Sequence, residues 1–112
     1  MNRDRALLVL TNLPDEASAQ SLARALVAHR LAACVNILPA IRSVYRWQGT
    51  IEEAAETTLL IKTTQACYPA LQQAIQDGHP YTLPEIVALS IADGLPAYLD
   101  WLTQETNSDA DG

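Results

Sequence analysis

Positive charge is scarce in this chain. Lys and Arg number 7 against 13 Asp and Glu, giving a net charge of -6 over 112 residues. Phosphate recognition needs a basic face, so this balance argues against a nucleic-acid partner. Glu105, Asp109 and Asp111 lie in the terminal tail, so the body is less acidic than the total implies. Cysteine is scarce too. Cys34 and Cys67 form no CxxC pair and no Cys/His cluster at zinc spacing, and both read as small buried hydrophobes. No apolar run approaches the roughly 20 residues that span a bilayer, and no charged segment leads into an apolar one at the start. The expectation is a cytoplasmic protein with no membrane partner. Also missing are a GxSxG elbow, a Walker loop and a GxGxxG turn. Cys34, His79 and Asn36 do not make a triad, because Asn36 follows Cys34 by two residues on one strand. The chain reads as non-enzymatic.

What is present is enough for one folded domain: 49% hydrophobic and 18% charged residues. A chain of this size buries roughly 65% of its unfolded surface, so oligomerisation would help it. Ala6 to Leu10 is an apolar run that reads as a central strand. Pro14-Asp15-Glu16 then carries helix-start chemistry, and Ala19, Leu22, Ala23, Leu26 and Val27 recur at helical spacing. His29, in the last turn, reads as a solvated surface residue. Ala33 to Trp47 is long and extended, interrupted near Pro39-Ala40, where proline implies an edge or a bulge. Gln48-Gly49 turns the chain, and Thr50 to Thr63 returns it, completing a hairpin longer than common strands.

Thr64 is the expected N-cap of a second helix with the stripe Tyr68, Leu71, Ala74 and Ile75, stopped by Gly78. Glu85 to Ala92 reads as the fourth strand. Pro96 opens a short last helix, packed onto the body by Trp101. Leu7 to Thr11 is echoed by Leu59 to Thr63, and each is followed by a helix and a strand. Two β-α-β units give an α+β, ferredoxin-like βαββαβ sandwich with a long hairpin between its second and third strands and an extra C-terminal helix. It spans residues 1–104, with 105–112 as a flexible acidic tail. The open sheet face and the hairpin edges point to an oligomer.

The densest cluster of chemistry is His79-Pro80-Tyr81-Thr82-Leu83-Pro84-Glu85-Ile86. Proline fixes its own φ and pushes the preceding residue out of the helical region, so this is a stiff connector beside a scaffold. His79 is the leading metal-ligand candidate, since imidazole suits copper, zinc or nickel. Glu85 is a second donor and Cys34 a soft one. Tyr45 and Trp47 share one strand face, with Arg46 between them, and would stack on a ligand or seal a subunit interface. Lys62 ends an apolar strand, where it would pair with Glu56 or meet an anion. Glu52, Glu53 and Glu56 read as a solvated face with weak attraction for cations.

Leu31-Ala32-Ala33-Cys34-Val35-Asn36, Ser43-Val44-Tyr45-Arg46-Trp47-Gln48-Gly49, Ile61-Lys62-Thr63, His79-Pro80-Tyr81 with Pro84-Glu85-Ile86, and Tyr98-Leu99 with Trp101 stand in one order along the chain. Together they resemble the CutA family, the divalent-cation-tolerance proteins, from about Leu7 to Leu102. The resemblance implies a homotrimer whose hairpins pair between subunits, a role in the response to divalent metal ions, and copper (Cu2+) or another divalent cation as ligand. His79, Tyr81 and Glu85 would line a cleft between subunits. Leu10 and Gly78 stand where some copper-binding relatives carry ligands, and His79 is the one such position retained. Thr82 replaces a common acid or amide. A second reading is a small-molecule or anion sensor similar to the PII-like trimers, using Lys62, Arg46 and the hairpin aromatics. A third is a scaffolding trimer with incidental metal binding. An acylphosphatase would need an anion cradle that Thr11-Asn12-Leu13-Pro14 does not supply, and an RNA-binding sheet would need aromatics on its central strands.

Overall fold

In the computed structural model, which describes residues 5–107, the chain forms β1 (Ala6–Leu13), α1 (Glu16–Ala28), β2 (Cys34–Trp47), β3 (Thr50–Thr64), α2 (Tyr68–Gly78), β4 (Val87–Ser90) and α3 (Pro96–Glu105). The strands make one antiparallel sheet in the order β2-β3-β1-β4. The two echoing segments, β1 and β3, are its central pair, with Leu7 opposite Thr63 and Thr11 opposite Leu59. This is the expected ferredoxin-like α+β sandwich, hairpin and added helix included.

Strand alternation divides the sheet into two chemically different faces. Leu7, Val9 and Leu13 of β1 and Leu59 and Ile61 of β3 point to the helix side. There they meet Ala19, Leu22, Ala23 and Leu26 of α1 and Leu71 and Ile75 of α2. Each fully buried leucine or isoleucine contributes roughly 1.5–3 kcal/mol relative to exposure. Asp15 caps α1 by accepting the Ser18 N–H at 2.8 Å. That backbone hydrogen bond is the main cause holding its carboxyl below the usual range. The opposite, open face, away from α1 and α2, carries Leu8, Leu10, Leu60, Val87 and Leu89, and Val87 and Leu89 are 45% and 51% exposed.

The hairpin has two special points. Gln48 (φ 50°) and Gly49 (φ 82°) both sit in the left-handed region, the signature of a two-residue type I′ turn. Further back, Leu38 pairs with Thr58 but Ile41 pairs with Glu56, so one extra residue is inserted in β2 at Pro39-Ala40. Ala40 takes φ 61° there. A bulge of this kind shifts the side-chain parity of everything beyond it. Before it, even-numbered residues of β2 share the open face with Thr58, Leu60 and Lys62. After it, Ser43, Tyr45 and Trp47 do.

Several local expectations are corrected. Thr64 ends β3 instead of capping α2; the N-cap is Cys67, which makes no side-chain cap bond and is buried. The fourth strand is only Val87–Ser90, because the proline-fixed segment before it leaves β1 unpaired at that end. Val27 lies at the rim of the α1 stripe and is 43% exposed. Trp101 does not anchor α3: it stacks on Tyr98 at 5.4 Å between ring centroids and stays exposed, while Leu102 is the fully buried anchor. Glu105 closes α3 and the Asn107 N–H donates to the Arg30 carbonyl at 2.8 Å, so 105–107 are held on the body. Asp109 and Asp111 of the expected tail lie outside the described residues.

Candidate functional site

Where the end of β1, the half of the hairpin between bulge and turn, and the proline-fixed loop meet, a cavity of about 450 Å³ opens. It is lined by Asn12, Ser43, Tyr45, Trp47, Glu56, Tyr81, Thr82, Leu83 and Glu85. Its hairpin wall exists because of the bulge, which turns Tyr45 and Trp47 toward the side of Asn12 and Glu56. Its other wall is the loop after α2, which His79 fixes. His79 is 9% exposed. Its Nε2 lies 2.7 Å from the Asn12 carbonyl. A carbonyl only accepts, so Nε2 bears the proton. Nδ1 is then the acceptor, and it takes the Tyr81 N–H at 3.2 Å. The imidazole and the Tyr81 ring also pack at 4.9 Å between centroids.

Hydrogen bonds orient the polar lining. Thr58 donates its hydroxyl to Asn12 Oδ1 at 2.6 Å, and Asn12 Nδ2 donates to Glu85 Oε1 at 2.9 Å. Tyr81 donates its hydroxyl to Glu56 Oε2 at 3.0 Å. Partial burial, and then the Glu56 carboxylate beside it, push the Tyr81 phenol up to about 12. Tyr81 is therefore a neutral donor at physiological pH. The only charged side chains in the lining, among the described residues, are the two carboxylates.

The candidate residues thus divide. Tyr45, Trp47, Glu56, Tyr81 and Glu85 come together in one cavity. His79 stands behind it, with both ring nitrogens engaged inside the chain. Cys34 lies across the sheet opposite Lys62, whereas His79 reaches the strand end where Asn12 faces Thr58, so within one chain they are apart. Lys62 does not pair with Glu56. Its Nζ donates to Asn36 Oδ1 at 2.7 Å and lies 4.0 Å from Cys34 Sγ. Arg46 alternates away from Tyr45 and Trp47, onto the hairpin face where Arg42 and Glu53 form an ion pair at 3.4 Å. Among the described residues no three His, Cys, Asp or Glu side chains converge on one point. A copper site built on His79, Cys34 and Glu85 does not fit this arrangement of a single chain.

Sequence reasoning missed Asn12, which links β1, β3 and Glu85 through one amide. It also missed Ser43 and Leu83 in the lining. The position of Asn12 at the end of an apolar strand was the one signal available.

Comparison with known proteins covers nearly the whole chain. Residues 7–105 match the family model described as "CutA1 divalent ion tolerance protein". The chain is 52% identical over 99 residues to a "Divalent-cation tolerance protein CutA" of Thermus thermophilus, covering 88% of this chain and 96% of that one. It is 46% identical over 95 residues to "Protein CutA" of Mus musculus, covering 85% of this chain but 54% of the relative, so it spans about half the length of that mammalian protein. Among solved structures, a divalent cation tolerance protein (Cut A1) from Thermus thermophilus superposes with a TM-score of 0.89 at 51% identity, over 91% of this chain and 99% of the other.

Proposed function

The chain belongs to the CutA1 divalent ion tolerance family, and from that premise we propose that it is a non-enzymatic homotrimer that takes part in the response to divalent metal ions by binding cations at clefts along its subunit boundaries. One observation carries the cation reading: the cavity's only charged lining is Glu56 and Glu85, among the described residues, with no lysine or arginine facing it. Field lines in a cleft of one sign concentrate counter-ions of the other. The anion-sensing alternative needs Lys62 and Arg46 in the lining, and neither is there. Carboxylate oxygens suit hard divalent ions better than copper, and such ions keep several waters when one chain offers few ligands. Further ligands would come from water or from a second subunit. The exposed apolar side chains of the open sheet face support assembly.

On this reading His79 is a positioning residue: it holds Tyr81 and the loop that presents Glu85. The test is calorimetric titration of the metal-free protein with Mn2+, Zn2+ and Cu2+, beside the Glu56→Gln/Glu85→Gln variant. Saturable binding that weakens at least about tenfold in the variant, or about 1.4 kcal/mol, is expected. Absence of saturable heat with all three ions, or binding indifferent to both glutamates, would remove this cleft as the metal site. No helix of the described residues is long and apolar enough to cross a membrane. We place the protein in the cytoplasm, although a relative from Arabidopsis thaliana is named chloroplastic.

A further inference from the structure

We propose that the same cleft binds a protonated organic amine with a short alkyl body; this rests on the reading of the cavity as a cation site and names a ligand class for it. The first ground is the composition of the walls. Tyr45, Trp47 and Tyr81 face the cavity that Glu56 and Glu85 line. A bare metal ion gains little from aromatic faces. An alkylammonium ion gains from both parts: its charge is attracted by the ring faces, Trp most strongly, and its methylenes are removed from water against them.

The second ground is unused hydrogen-bonding capacity. Glu56 engages Oε2 with the Tyr81 hydroxyl, and Glu85 engages Oε1 with the Asn12 amide. The remaining oxygen of each makes no hydrogen bond among the described residues. Two oriented acceptors in a cavity suit a group with several N–H donors. The third is the electrostatic sorting of the hairpin. The bulge places Tyr45 and Trp47 on one face with Glu56, and Glu52 stands opposite Tyr45 on that face. Arg42 and Arg46 fall on the other face, with Glu53. The arginines of the hairpin are thus kept off the aromatic side, Lys62 on that face is held by Asn36 Oδ1 outside the lining, and the volume of about 450 Å³ lies within the range of small-molecule sites. With no cluster of three metal-ligating side chains among the described residues, the amine uses what the cavity offers more fully than a bare ion does. It competes with divalent cations for Glu56 and Glu85.

The chain has two tryptophans, so Trp101→Phe, outside the cavity, leaves Trp47 as the sole indole reporter. In that background the assembled protein is titrated with butylammonium chloride, and separately with 1-butanol as the uncharged counterpart. A saturable change in Trp47 emission with butylammonium only is expected, weakened at least about tenfold by Glu56→Gln/Glu85→Gln. No saturable change, an equal response to 1-butanol, or a response unaltered in the double variant would overturn the proposal. A parallel Mn2+ titration separates the two readings. Mn2+ binding without an amine response overturns the amine alone, and silence toward both overturns the cation cleft as well.

Discussion

At the scale of single residues, His79 shows how a side chain with ligand chemistry becomes part of the frame. Its Nε2–H donates to the Asn12 carbonyl and its Nδ1 accepts the Tyr81 amide. Replacing it with alanine leaves both backbone groups without partners in a mostly buried place, which costs roughly 1–3 kcal/mol. His79→Ala should therefore lower the thermal midpoint of the metal-free protein. An unchanged midpoint together with lost metal binding would instead make His79 a ligand. The proline-flanked motif made His79 conspicuous in the sequence. Its partner was not legible, because a backbone carbonyl carries no side-chain signature and Asn12 lies on a different element. The same holds for Lys62. An anionic partner was the natural expectation, and the strand register instead put Asn36 diagonally across from it on the same face, where its amide oxygen takes the ammonium.

At the scale of elements, the β2 bulge decides which chemistry the cavity has. The interruption at Pro39-Ala40 was visible in the sequence, and so was the shared face of Tyr45 and Trp47. Which face they share depends on whether one residue or two is inserted, and the sequence alone does not fix that count. The observed insertion of one residue, with Ala40 at φ 61°, carries a side-chain clash of about 1–2 kcal/mol for an L-residue. Glycine would relieve it, offset in part by roughly 0.5–1 kcal/mol of extra unfolded-state entropy. Ala40→Gly should thus leave stability level or raise it by up to about 1 kcal/mol, while Ala40→Val should lower it, read as shifts in the urea midpoint. A glycine variant clearly less stable than the parent would mean that Ala40 does not hold this backbone conformation. The central strands were the most legible elements because their burial pattern and their sequence echo agree. The short β4 was overestimated because apolar residues at an exposed edge look like any strand residue.

At the scale of the whole molecule, one chain leaves more apolar surface open than a lone domain of this size needs to. Its radius of gyration of 14.5 Å exceeds the about 13 Å of a compact chain of about 100 residues, because the hairpin reaches past the body and draws the longest dimension to 44 Å. Helices α1 and α2 cover one sheet face. On the other face Leu89 stands opposite Leu8, and Val87 opposite Leu10. If three copies bury this face against one another, a charge placed there should separate them without harming the chain's own core, since Leu89 is 51% exposed in the single chain. Leu89→Lys should accordingly shift the sedimentation coefficient at low micromolar concentration from trimer toward monomer, with the far-ultraviolet circular dichroism unchanged. A variant that still sediments as a trimer would show that the subunits meet elsewhere, along the hairpin edges, and the cleft at Glu56 and Glu85 would then have to be placed relative to that contact instead.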